Sequence, residues 1–257
     1  MIFIFLHNLF AYLNIYDSYY SLPIFAKRIV RAFTLTGSEQ LLGGFWFLIS
    51  LFWSSIISLG YLSFLNRHNK VTSTYLWEGV LLLLLIASLI NRLPVRLPQM
   101  FREQTILATA LYLSGYLFKR MKIDFKGYYA CLLIIPAISA FFLQLDMHTD
   151  GWRVFAIYSI SMCGTLGIVS LSSILSKWKL ASTLSYVGCN TLYILVFHFL
   201  AFKGVSAIYL FANELPIEKL SHFSVLPEVP SYMWLIYSVV GIIVPLIITS
   251  VPKRANT

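Results

Sequence analysis

Residues 184–202 read LSYVGCNTLYILVFHFLAF, an apolar run that contains Asn190, Thr191 and His198. The run is long enough for a helix to cross a bilayer, which takes about 20 apolar residues. A helix that begins near Ser185 carries His198 roughly 20 Å into the hydrocarbon layer, at about 1.5 Å per residue. Polar groups are costly at that depth, so we expect these side chains to face a bundle interior or a wet cavity.

Two interpretations of these polar residues stay open. Thr191 and His198 are seven residues apart and point the same way from a helix, with Asn190 on the adjoining face. They either form hydrogen bonds between neighbouring helices or line a functional cavity. The histidine beside the other two favours the cavity, and we predict that all three residues bind substrate.

The composition indicates a membrane protein. Of the 257 residues, 59% are hydrophobic and 11% are charged, and the mean hydropathy is +0.79. A soluble domain has about 25% charged residues. The sequence therefore predicts an all-α fold, a polytopic transmembrane helix bundle. The three cysteines have no CxxC spacing and the histidines have no metal-ligand spacing, so we expect no metal.

Eight apolar segments follow one another along the chain. The first covers residues 1–16, and it lacks the charged start and the cleavage site of a signal peptide. Full spans are predicted at residues 42–65, 76–90, 105–118, 128–143, 154–175, 184–202 and 232–251. We treat these segments as one transmembrane domain over residues 1–257, with about eight spans.

The basic residues predict the orientation of these spans. Of the 19 Lys and Arg residues, ten fall on one side of the membrane and nine on the other. The short connections 119–126 and 177–179 have the denser positive charge, which is typical of cytoplasmic loops. We therefore place the longer loops, 17–40 and 213–231, outside. Charges in short clusters between apolar runs are topology signals and do not indicate nucleic acid.

Three arginines lie in one connection on the predicted outer side, NRLPVRLPQMFR at residues 91–102. If this connection folds inward, Arg92, Arg96 and Arg102 are suited to an anionic or glycan substrate. Otherwise they contact lipid headgroups. Both interpretations stay open, and Arg92 and Arg96 are candidate substrate-binding residues.

Three blocks of the sequence resemble the acyltransferase type 3 family of integral membrane proteins. GGFWFLISLF at residues 43–52 is similar to the Trp-Phe-Leu signature of a middle span in that family. ALYLSGYLFKR at residues 110–120 is similar to a short span that ends in basic residues. LSKWKLASTLSYVGCNTLYILVFHFL at residues 175–200 is similar to the late block, in which Gly and Asn-Thr precede a helix that ends in His. The blocks occur in the family's order.

The resemblance implies a ten-span enzyme of the bacterial inner membrane. Such proteins move an acyl group, usually acetyl from acetyl-CoA, onto a hydroxyl of a cell-surface polysaccharide or glycolipid. The resemblance also makes Trp46 a candidate substrate-binding residue, in addition to His198, Asn190 and Thr191. The family's Arg-His motif is absent here, so the resemblance implies that two N-terminal spans and the catalytic base are missing. His198 is then expected to have a supporting role, and the chain alone is expected to be inactive.

A non-enzymatic membrane protein is the competing interpretation. The missing catalytic motif favours a polysaccharide or glycolipid transporter, or an assembly protein. A transporter is expected to have internal repeats, and we find no convincing repeat. A polysaccharide polymerase is a third possibility, but it is expected to have a longer outer loop than the roughly two dozen residues of 17–40.

Overall fold

A computed structural model of the chain describes residues 2–34, 41, 43–90, 92, 97–122, 127–143 and 151–254. Throughout these ranges the backbone forms helices, turns and irregular connections, with no strand. The prediction of an all-α fold is therefore confirmed for the described residues.

The described residues form eleven α-helices and three 3-10 helices. The α-helices are α1 Ile2–Phe5, α2 His7–Tyr12, α3 Leu22–Phe33, α4 Phe45–Arg67, α5 Ser73–Ile90, α6 Glu103–Arg120, α7 Ile134–Leu143, α8 Arg153–Leu175, α9 Ala181–Cys189, α10 Thr191–Ala212 and α11 Met233–Arg254. The 3-10 helices are Gln99–Phe101, Gly127–Leu133 and Ile217–Ser221. Helices α4, α5, α8 and α10 are long and apolar enough to cross a membrane, which indicates a membrane protein.

The structure differs from the predicted spans at three places. Residues 2–12 form the short helices α1 and α2 instead of one long segment. The predicted span 128–143 begins as the 3-10 helix Gly127–Leu133 and becomes α-helical only in α7. The predicted span 184–202 is divided at Asn190 between α9 and α10. The number of membrane crossings stays a prediction.

The chain forms two compact units, Met1–Trp46 with Ser182–Thr257, and Phe47–Ala181. In the second unit, α5, α6 and α8 meet in an apolar core. This core contains Val80, Leu84, Ala87, Ile106, Leu107, Ala110, Leu113, Val154 and Ile157. Gly79 lets α5 approach Tyr61 of α4, because a Cβ atom at residue 79 would lie 2.7 Å from the tyrosine ring. Close approach at small residues is a common way for membrane helices to associate.

Buried polar side chains also join the helices of the second unit. Ser50, Ser54 and Ser58 form a buried stripe with a spacing of four residues along α4. The Gln99 amide donates a hydrogen bond of 3.0 Å to Ser50 Oγ. On another pair of helices, the hydroxyls of Ser114 and Tyr158 lie 2.5 Å apart. Such pairs satisfy polar groups that membrane lipid leaves without partners.

In the first unit, α10 is the central element. α11 packs tightly against it, because a Cβ atom at Gly241 would lie only 2.5 Å from a ring carbon of Phe202. The connection 213–232 folds back along α10, where Leu220 and Leu226 pack with Leu210. The sequence predicted a loop on the outer side at residues 213–231, and the structure shows that part of this loop packs against a helix.

Candidate functional site

A buried lysine lies near the middle of α10. Among the 22 residues of this helix, Lys203 is the only member of the charged types Lys, Arg, Asp and Glu. Only 3% of its surface is exposed. It follows Thr191 by twelve positions, which corresponds to roughly 18 Å of helix. A buried ionisable residue within a membrane-spanning helix is a functional-site candidate, because its burial is costly without partners.

The ammonium group of Lys203 is held by the backbone of the α10–α11 connection. Its Nζ donates hydrogen bonds to the carbonyl oxygens of Leu220, at 2.5 Å, and His222, at 2.7 Å. These hydrogen bonds join α10 to a part of the connection that follows Lys203 by 17 to 19 residues.

The lysine and the connection satisfy each other's polar groups. An ammonium group that leaves water needs hydrogen-bond acceptors. Backbone carbonyls outside a regular helix need donors when they are buried at membrane depth. Leu220 belongs to the 3-10 helix Ile217–Ser221, and its side chain is buried. Lys203 therefore fixes the position of this 3-10 helix against α10.

Aromatic rings surround this part of α10. Phe199 lies one turn before Lys203, and its ring centroid is 5.0 Å from that of Phe223 in the connection. The Phe202 ring packs edge-to-face on Tyr237 of α11, at 5.5 Å. The Tyr237 hydroxyl lies 2.9 Å from Ser206 Oγ. This arrangement is apolar around the helix and gives each buried hydroxyl a partner.

His198 lies on the same helix and its ring orientation is fixed. Nδ1 is 3.1 Å from the carbonyl oxygen of Ile194 and 3.0 Å from that of Leu195. Because a carbonyl oxygen can only accept, Nδ1 is the donor, and in the neutral imidazole Nε2 then carries the lone pair. No hydrogen bond to Nε2 is found among the described residues. The half-buried imidazole therefore presents a nitrogen that can accept a proton.

Asn190 and Thr191 make local hydrogen bonds, and among the described residues no hydrogen bond joins either side chain to His198. Asn190 is buried, and its Nδ2 donates a hydrogen bond of 2.8 Å to the Tyr186 carbonyl. Thr191 is exposed, and its Oγ1 donates one of 2.7 Å to Gly188. Both bonds are local and hold the junction between α9 and α10.

The expected start of the helix near Ser185 is wrong. α10 begins at Thr191, so His198 lies about 10 Å along its helix instead of 20 Å. The asparagine at the junction has φ −105° and ψ 12°. Asparagine side chains compete with the backbone for local hydrogen bonds, which favours a helix end at this position.

The remaining predicted residues lie elsewhere. Trp46 is the second residue of α4, and 36% of its surface is exposed. Arg92 is exposed in a turn after α5. Its Nη2 lies near Gly151, because a Cβ atom added at residue 151 would lie 3.5 Å from this nitrogen. Arg96 lies outside the described residues. Arg92 belongs to the unit Phe47–Ala181, whereas His198 belongs to the other unit.

The sequence also contained a signal for Lys203 that the prediction did not use. The predicted span ended at Phe202, one residue before Lys203. The next nine residues, GVSAIYLFA, are free of charged side chains and continue the helix to Ala212. A single charge with apolar residues on both sides indicates a lysine inside a span.

A small pocket with a mainly apolar lining lies between α10 and the α10–α11 connection. Its volume is about 140 Å³, and its polar lining comes from Lys219, His222 and Glu228, with Tyr209 beside them. Lys219 Nζ donates a hydrogen bond of 2.9 Å to Glu228 Oε2. This bond and the positive charge of Lys219 hold the pKa of Glu228 below its usual range.

Two further results concern the class of the site. Among the described residues, no three His, Cys, Asp or Glu side chains lie close enough together to hold a metal ion. Comparison of the chain with protein-family models, with curated proteins and with solved structures gives no match.

Proposed function

We propose that this chain takes part in O-acylation of a cell-surface polysaccharide or glycolipid, as a multi-pass protein of the bacterial inner membrane. The acyl group is acetyl, with acetyl-CoA as the donor. The observation that carries the proposal is the imidazole of His198, whose Nδ1 is held by Ile194 and Leu195. The three sequence blocks that resemble the acyltransferase type 3 family support the same reaction class.

The proposed reaction needs a base for the acceptor hydroxyl. Nε2 of His198 takes the hydroxyl proton while the hydroxyl oxygen attacks the thioester carbonyl. The new oxygen–carbon bond forms, the carbon–sulfur bond breaks, and the proton passes to the CoA thiolate. The two carbonyl oxygens at Nδ1 stabilise the imidazolium that forms between these steps. This assigns His198 the base's role, where the sequence had suggested a supporting one.

The pocket at Lys219 and Glu228 lies roughly 17 Å along α10 from His198, so it is proposed to hold a part of the acceptor glycan away from the reacting hydroxyl. Lys219 supplies donors, Glu228 supplies acceptors, and the Tyr209 side chain adds an aromatic surface. A sugar ring has hydroxyls around its edge and apolar faces, so it needs both kinds of group. The basic cytoplasmic connections of the predicted topology are suited to the phosphates of CoA.

The test is acetyl transfer in membrane vesicles from cells that make the acceptor glycan. Vesicles with the chain should incorporate radiolabelled acetate from acetyl-CoA into base-labile esters of the glycan. His198→Gln should lower incorporation by about 10²–10⁴-fold, the usual contribution of a general base. His68→Gln, which changes an exposed histidine at the end of α4, is the control. Equal incorporation by the wild type, by His198→Gln and by vesicles without the chain would contradict the proposal.

A further inference from the structure

Helix α3 has a composition unlike that of the other described helices. It reads LPIFAKRIVRAF over Leu22–Phe33 and has three basic residues and no acidic residue. None of its residues is buried. Its length of 12 residues is too short to cross a bilayer.

Most apolar side chains of α3 lie opposite its basic side chains, and Ile24 is the exception, because it falls between Arg31 and Arg28. At 100° per residue, Lys27, Arg28 and Arg31 fall within one arc of about 100°. The opposite arc holds seven apolar residues: Leu22, Phe25, Ala26, Ile29, Val30, Ala32 and Phe33. The apolar face is open, with exposures of 82% for Leu22, 58% for Val30 and 75% for Phe33.

Two contacts fix the orientation of α3. The Phe25 ring packs edge-to-face on Phe5 of α1, with centroids 5.6 Å apart. The guanidinium carbon of Arg28 lies 5.3 Å from the ring centroid of Tyr20. Both contacts lie in the same unit of the chain. They leave most of the apolar face and the other two basic side chains open.

We propose that α3 lies in the membrane–water interface and binds anionic phospholipids. Its apolar face enters the boundary between headgroups and acyl chains, and Lys27, Arg28 and Arg31 contact lipid phosphates. A soluble phosphate compound is the other possible ligand for the basic face. It would leave Leu22, Val30 and Phe33 in water, whereas a phospholipid surface accounts for both faces. This inference does not depend on the proposed acyl transfer. It applies whether α3 lies on the cytoplasmic or on the outer leaflet.

Trypsin cleavage of the full chain in lipid nanodiscs tests the proposal, because Lys27, Arg28 and Arg31 are themselves cleavage sites. Nanodiscs expose both sides of the protein. Cleavage within α3 should be about tenfold slower in nanodiscs rich in phosphatidylglycerol than in phosphatidylcholine nanodiscs. High salt should reduce this protection. Cleavage at the exposed Lys177 and Lys179 serves as the internal reference and should not depend on the lipid.

A variant of the apolar face keeps the cleavage sites intact. The double variant Leu22→Ser, Phe33→Ser should lose the protection in anionic nanodiscs. Leu180→Ser, at a leucine with 59% exposure beside the reference sites, should keep it. Equal cleavage of wild-type α3 in the two lipids would overturn the proposal. So would protection in phosphatidylcholine nanodiscs by millimolar inorganic phosphate or CoA, which would assign the basic face to a soluble ligand.

Discussion

Lys203 Nζ donates a hydrogen bond of 2.7 Å to the backbone carbonyl of His222, a residue nineteen positions later in the chain. A second bond to Leu220 O joins the same two segments. One side chain of α10 thus determines where the α10–α11 connection lies. Lys219 and Glu228 of this connection line the small pocket beside α10. The buried Lys203 therefore positions part of the pocket's lining.

Lys203→Met should loosen the connection. Methionine has a similar length, but it leaves the carbonyls of Leu220 and His222 without their donor. An unsatisfied buried polar group costs about 1–3 kcal/mol. The free energy of unfolding in detergent should fall by an amount in this range, and proteolysis within residues 213–232 should become faster.

The matched control for this prediction is Lys219→Met. Lys219 pairs with Glu228 at the surface, with side-chain exposures of 39% and 79%. An exposed ion pair contributes about 0–1 kcal/mol. If both variants lose the same stability, the buried lysine has no special role in holding the connection.

Hydropathy alone located much of the fold. The predicted spans 42–65, 76–90 and 154–175 agree with α4, α5 and α8 to within a few residues. Long apolar runs leave a chain few alternatives, because the backbone must satisfy its hydrogen bonds internally in lipid. The prediction was good where one helix corresponds to one run.

The sequence was less informative where polar and apolar residues alternate. α3 was missed because its apolar residues are interspersed with Lys27, Arg28 and Arg31, which lowers its mean hydropathy. The helix end at Asn190 depends on a local hydrogen bond to Tyr186. The partners of Lys203 are backbone carbonyls of a distant segment, and no residue pattern identifies a carbonyl as a partner.

Gly241→Ala should destabilise the packing of α10 on α11. The added Cβ atom would lie 2.5 Å from Phe202 Cε1, so the ring or the helix must move. Overpacking of this kind costs about 1–3 kcal/mol. Thermal unfolding in detergent should show the loss.

Gly204→Ala is the control, because a Cβ atom at residue 204 meets nothing within 4 Å. Gly204 lies on α10, one of the same two helices, and its substitution makes the same chemical change. Alanine also has the better helix propensity, by about 1 kcal/mol, so this variant should be neutral or slightly stabilising. A Gly241→Ala variant as stable as Gly204→Ala would show that Phe202 moves aside without cost.

Glu228→Gln should have an effect that depends on pH. The hydrogen bond from Lys219 lowers the pKa of Glu228 below the ordinary value of 4.5. A carboxyl group with a lowered pKa stabilises the fold above the unfolded-state pKa, and this contribution is lost as the pH falls through the folded-state pKa. The melting temperatures of wild type and variant should therefore differ slightly at neutral pH and converge below pH 4.5. The difference should shrink in high salt, and a difference that grows on acidification would contradict the assignment.

The single variants Asn190→Ala and Thr191→Ala, compared with each other, distinguish a structural role from a role in substrate binding. Asn190 is buried with its amide bonded to Tyr186 O, so its loss should lower the free energy of unfolding by about 1 kcal/mol. Thr191 is exposed, and its replacement should change stability by less than about 0.5 kcal/mol. Acetyl transfer corrected for the amount of folded protein should be unchanged in both variants, because the hydrogen bonds of both side chains are local. A loss of corrected activity in Thr191→Ala, with stability intact, would instead return this threonine to the substrate site.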